Sequence, residues 1–157
     1  MLLAYRLVRL IETHSAELAH GLLTKVQTSE KLPDYSQVPA EELEERVYEI
    51  YRHLGDWLLG KSEGDIEQRY EEIGTRRKAQ GVPFSQVAYV LELTKENLWE
   101  FLKTRQMDTP VEAFGELEML QLLDQFFDRA IFYASQGYEE ACMRARAERR
   151  ALEVSGG

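Results

Sequence analysis

A chain of 157 residues, 44% hydrophobic and 30% charged, has the balance of one globular domain, long enough to bury a core without disulfides or metals. Its formal net charge is −9, and its one arginine cluster (Arg144, Arg146, Arg149, Arg150) is interleaved with Glu139, Glu140, Glu148 and Glu153, so nucleic-acid binding by phosphate neutralisation is not expected. The lone Cys142 excludes an internal disulfide, and the absence of a signal leader or a membrane-length apolar run implies a cytoplasmic protein with no membrane partner.

Apolar residues recur at three and four positions, and nowhere strictly at two, which predicts an all-α fold. Leu3, Leu7, Ile11, His14, Leu18 and Leu22 place one stripe along a first helix over 2–26. A polar, proline-punctuated connector follows from Thr28 to Val38. Pro39 and the Glu41–Glu42 pair suit the start of a second helix, where the macrodipole favours acids. It carries Leu43, Val47, Ile50, Leu54 and Leu58 and ends near Gly60. Ser62-Glu63-Gly64-Asp65 caps a third helix, with Ile66, Tyr70 and Ile73 inward and Gly81 as its stop.

Val82-Pro83-Phe84-Ser85 opens a fourth helix. Its apolar residues cover so wide an arc that it belongs in the middle of the fold. Thr109-Pro110 caps and starts a fifth helix containing Phe114, Leu117, Leu120, Phe127, Ile131 and Ala134, with Gly137 as the expected kink or end. The charged stretch beyond Tyr138 keeps helical propensity but loses its apolar stripe. These spacings predict about five helices, as an antiparallel bundle or a globin-like stack with a long C-terminal helix. Residues 1–138 form the body and 139–157 a charged helical extension or linker.

The motifs of catalysis are missing. There is no Gly-x-Ser-x-Gly turn, no glycine-rich phosphate cradle and no cysteine–histidine set for zinc, so neither an enzyme nor a bound metal or cofactor is expected. His14 replaces an aliphatic residue inside the first stripe. A neutral imidazole there can ligate haem iron, respond to pH or bond a buried partner. His53, on an edge with Ile50 and Trp57, offers the same options.

Arg77 is the sharper anomaly, because Ile66, Tyr70 and Ile73 lead to it at helical spacing. A guanidinium at a core position requires a partner, either an internal carboxylate or an anionic ligand. Arg77, Tyr70, His14 and Trp99 are the candidate ligand-binding residues. The aromatics between Phe126 and Tyr138 point several ways round their helix, so Phe127, Phe132, Tyr133 and Tyr138 are candidates for a homodimer interface.

Three segments carry a resemblance: Tyr70-Glu71-Glu72-Ile73-Gly74-Thr75-Arg76-Arg77, Gly81-Val82-Pro83-Phe84-Ser85-Gln86-Val87, and Phe126-Phe127-Asp128-Arg129-Ala130 through Gly137-Tyr138-Glu139. Together they resemble the N-terminal domain of RsbR-type stressosome co-antagonists over about residues 5–140. The resemblance implies a non-catalytic bacterial sensory input domain for stress signalling. Such domains are all-helical, tend to dimerise, and are joined to an output domain or regulatory partner. The alternative is a haem or small-molecule sensor of globin-like form.

Overall fold

The computed structural model describes residues 2–104 and 110–156. Six α-helices appear among them, α1 (Leu2–Thr13), α2 (Ser15–Thr28), α3 (Ala40–Arg52), α4 (Glu63–Ala79), α5 (Phe84–Lys103) and α6 (Pro110–Ser155), with no strand. The all-α expectation holds, with a higher helix count than five. The cap at Thr109 lies outside the described residues, as does the side chain of Leu3.

The extra helix arises at His14. Its backbone leaves helical geometry (φ −103°, ψ 18°), and its ring Nδ1 lies 2.9 Å from the Leu10 carbonyl. The single helix expected over 2–26 therefore becomes two. The buried line runs Ala4, Leu7, Val8, Ile11, Ser15, Ala19, Leu22 and Val26; it keeps Leu7, Ile11 and Leu22 of the expected stripe but passes beside His14 and Leu18, which are half-buried.

The connector also has structure. Pro33–Gln37 form a 3₁₀ turn, and Leu32, Tyr35 and Val38 are all buried, as the three-residue repeat of that geometry aligns them. The second helix stops at Arg52, short of Gly60, and a separate π-helical turn spans Asp56–Gly60. Between them the Gly55 N–H donates to Glu12 Oε2 at 3.1 Å, tying the break to α1.

Ser62 and Asp65 make the reciprocal capping box that starts α4. Its end is a Schellman turn. Gly81 has φ +78°, its N–H donates to Lys78 O, and the Val82 N–H reaches back to Arg77 O at 3.1 Å.

Helix α6 is the common element of the fold, packing on α4, α1 and α5, while α2 pairs with α3. Met119, Leu123, Phe126, Phe127, Ala130 and Ala134 bury its first half. Gly137 neither ends nor kinks it. Instead Gly74 and Gly137 let the backbones of α4 and α6 touch. A Cβ on Gly74 would lie 2.9 Å from both the Ala134 carbonyl carbon and the Tyr138 nitrogen, and closer still to the Ala134 oxygen. One on Gly137 would lie 2.7 Å from the Glu71 Cα and carbonyl carbon. Thr75 Oγ1 donates across the crossing to Gly137 O at 3.3 Å.

Alanine at either glycine must push two backbones apart, a cost that exceeds its better helix propensity. Gly74→Ala and Gly137→Ala are each expected to lose about 2–3 kcal/mol, a fall of roughly 5–10 °C in Tm for a domain of this size. Thermal unfolding followed by circular dichroism checks this, and an unchanged Tm for both would refute the close crossing.

Candidate functional site

Arg77 is almost wholly buried, 3% exposed, and its charge is met inside the chain. Its guanidinium donates to Gln80 Oε1 at 2.8 Å and lies 3.6 Å from Glu42 Oε2. Gln80 Nε2 donates to the same Glu42 oxygen at 2.8 Å, and Arg76 bonds the other. Burial raises the Glu42 carboxyl, but the bonds from Arg76 and Gln80 and the charges of Arg77 and Arg76 outweigh it, holding Glu42 below the ordinary value of 4.5. Tyr35 rests on the other side of Arg77. Burial pushes its hydroxyl up to about 12 against the pull of that guanidinium.

Arg77 thus pins the 3₁₀ turn and α3 onto α4. Tyr35, with Leu23, Val26, Leu32, Val38 and Leu43, also lines a cleft of about 420 Å³ between α2 and α3, whose wall includes Gln27, Ser29 and Ser36. The clamp sets the position of that wall.

The four candidate ligand residues do not converge. Tyr70 lies one face-repeat before Arg77 on α4 but inside an aromatic cluster. Its ring is 6.2 Å from Trp57 and 5.8 Å from Phe126, both edge-on. Phe127 stands 5.0 Å from Phe126. The Tyr70 hydroxyl and Trp57 Nε1 are buried without a hydrogen-bond partner among the described residues, and burial raises the Tyr70 hydroxyl pKa. His14 sits at the α1–α2 break, its ring 5.3 Å from Phe101. His53 is exposed, unlike Ile50 and Trp57 beside which it was expected, and Trp99 is half-buried on α5.

The candidate dimer residues divide too. Phe127 is 1% exposed and belongs to the core, because α4 and α1 cover that side of α6. Tyr138 is half-buried, its hydroxyl donating to the Val82 carbonyl at 2.7 Å and its ring 5.5 Å from Phe84. Tyr133 is half-buried and donates to Glu63. Only Phe132 is turned to solvent, 56% exposed.

A second polar cluster was not expected from the sequence. Asn97, buried on α5, donates to the Leu18 carbonyl at 3.0 Å and to the Tyr51 hydroxyl at 3.2 Å. Tyr51 donates to Thr94 O at 2.8 Å, and Lys25 donates to Asn97 Oδ1 at 2.6 Å. One amide therefore joins α2, α3 and α5. An asparagine among the apolar positions of a broadly apolar helix was the available signal, the same kind that marks Arg77.

The arrangement is one of a packed body. No group of three or more His, Cys, Asp or Glu side chains that could hold a metal occurs among the described residues, and no described helix is long and apolar enough to cross a membrane. The fold defines the class first: an all-α domain organised on one long terminal helix. Within that class the chain belongs to the family of the RsbT co-antagonist protein rsbRD N-terminal domain, whose sequence profile matches residues 16–153. It is a stressosome signalling family, and the match runs from α2 through nearly all of α6. No curated protein and no solved structure matches the chain.

Because the folded-state pKa of Glu42 is depressed, its charge stabilises the fold above the ordinary carboxylate value, and that contribution is lost as pH falls through the folded value. Glu42→Gln is expected to cost about 2 kcal/mol at neutral pH. The gap in Tm between the wild type and this variant should close as pH drops below about 4.5. A gap that stays constant through that range would show that the Glu42 charge does not hold the clamp.

Proposed function

We propose that the chain is a non-catalytic cytoplasmic input domain that homodimerises and passes a conformational change along α6 to an output domain or regulatory partner. In this reading residues 1–138 are the sensing body and 139–157 carry the change outward. Membership of a co-antagonist family supports the signalling role. The carrying observation is the form of α6. Its first half is core, while residues 143–155 are almost entirely exposed, so a shift of the helix within the body moves its far end.

Self-association is supported by the outer face of the same helix. Phe114 and Phe132, 59% and 56% exposed, are about five whole turns apart, and Met143 follows about three turns later on the same side. Leu117 flanks Phe114 and is also exposed. Apolar side chains ordered along one solvent face are what a partner surface covers. A second copy meeting this face uses Phe132 with the outer edge of Tyr133, while Phe127 and Tyr138 act from within by fixing the helix.

Signalling by such a domain requires a ligand or partner that favours one packing over another, since equal affinity for both shifts nothing. Analytical ultracentrifugation of the whole chain is expected to show a dimer. Phe132→Asp is expected to weaken it by about 30-fold or more, as for a central apolar anchor. A monomeric wild type, or a dimer indifferent to Phe132→Asp and Phe114→Asp, would rule out this face.

A further inference from the structure

A cleft of about 500 Å³ lies where α1 passes into α2, beside the end of α3, and Arg9, Ser15, Tyr48 and Arg52 stand on its wall. Arg9 and Arg52 make no hydrogen bond and no ion pair among the described residues. Arg9 lies over the Tyr5 ring, 5.8 Å from its centre. The one carboxylate on the wall, Glu12, accepts the Gly55 N–H at 3.1 Å. Glu44 and Glu45, one turn before Tyr48, line the adjoining cleft rather than this one. Positive charge is thus in surplus here, in a chain whose net charge is −9.

The hydroxyls of the same wall are a second, independent observation. Ser15 is 4% exposed, yet its hydroxyl makes no hydrogen bond among the described residues. A serine or threonine inside a helix can bond the carbonyl four residues back. Thr13 does so, donating to the Arg9 carbonyl at 2.8 Å; Ser15 does not. Burying a hydroxyl without a partner is costly and rare. Unlike the Tyr70 hydroxyl and Trp57 Nε1, which are sealed in the core, that of Ser15 opens onto the cleft.

Donors without acceptors therefore reach one cleft from three helices: Arg9 from α1, Ser15 from α2 and Arg52 from α3. Guanidinium forks match carboxylate and phosphoryl oxygens alike. The number and directions of the donors separate the two. Two forks offset two charges, and a tetrahedral dianion offers oxygens in several directions. A carboxylate carries one charge and is planar. The cleft is also roomier than an inorganic phosphate fills, and the part-exposed Tyr48 ring stands on its wall.

We propose that this cleft binds a small phosphate monoester, its phosphoryl group held by Arg9 and Arg52 and accepting a hydrogen bond from Ser15. The organic part rests against Tyr48. Seating the dianion ties α1 to the end of α3 across the break at His14, and α1 packs on α6. The proposal deepens the input-domain reading by naming the chemical class of its signal. It rests on that reading for the consequence of binding, while the binding itself is measured without reference to dimerisation.

The test is isothermal titration calorimetry of the whole chain with phenyl phosphate, inorganic phosphate and acetate at matched ionic strength, with amide chemical shifts to locate the site. Saturable binding of phenyl phosphate is expected, with shifts at residues 9–16 and 48–52. Arg9→Gln and Arg52→Gln, both at exposed positions, should each weaken it by about tenfold or more. Ser15→Ala should weaken it by a few-fold without lowering Tm, since the lost hydroxyl bonds nothing in the fold. Arg146→Gln, on the exposed end of α6, should bind as the wild type does. No saturable binding of phenyl phosphate, or an equal loss in Arg146→Gln, overturns the site. Acetate or inorganic phosphate binding as tightly as phenyl phosphate overturns the ligand class, and full affinity in Ser15→Ala removes the hydroxyl from the site. A monomer that binds phenyl phosphate would sink the dimeric input domain and leave this cleft standing; a dimer that binds none would do the reverse.

Discussion

The closest constraint in the molecule is the contact of two backbones at Gly74 and Gly137. Neither residue has a side chain to hold α4 and α6 apart, and a Cβ on either would enter the neighbouring main chain. With the helices this close, Tyr138 reaches the Val82 carbonyl and sets its ring, tilted, 5.5 Å from that of Phe84. The crossing thereby fixes the Schellman turn that ends α4 and the start of α5. The same approach brings Phe126 onto Tyr70 and Trp57. Much of the core of α4, α5 and α6 follows from where these two glycines meet.

Two polar clamps define how the remaining helices are set. Arg77 with Glu42, Gln80 and Tyr35 joins α4 to α3 and the 3₁₀ turn, and Asn97 with Tyr51 and Lys25 joins α5 to α3 and α2. Apolar burial supplies most of the driving force, but it is indifferent to small slips of one helix along another. A buried guanidinium or amide is not, because a slip leaves it unpaired. Such clamps therefore define the one arrangement in which the helices are held.

The segments that carry the family resemblance are chiefly these packing residues. Gly74, Arg77, Gly81, Phe126, Gly137 and Tyr138 all lie at the crossing, the clamp, the turn or the aromatic cluster. Arg129, exposed, reaches Glu63 at 3.1 Å. The shared pattern is thus a record of how α4 and α6 join. The Tyr70 hydroxyl, buried without a hydrogen-bond partner among the described residues, lies inside that framework.

Helical periodicity, the Ser62–Asp65 cap, the Gly81 stop and the misfit of Arg77 were legible in the sequence because each depends on residues within a few positions of one another. The break at His14 was not, since it follows from a side-chain nitrogen finding the Leu10 carbonyl in a stripe that otherwise continues unbroken. The burial of Phe127 against the exposure of Phe132, and the scattering of His14, Tyr70, Trp99 and Arg77, depend on which side of each helix a neighbour covers. Gly137 shows the division most plainly: local propensity marks it as a helix breaker, yet it sits inside a 46-residue helix. Sequence by itself determined that the chain is helical and where several of its helices begin and end, whereas which faces turn inward and the pairing of Arg77 with Glu42 and Tyr35 were decided by tertiary structure, because they rest on contacts between residues dozens of positions apart.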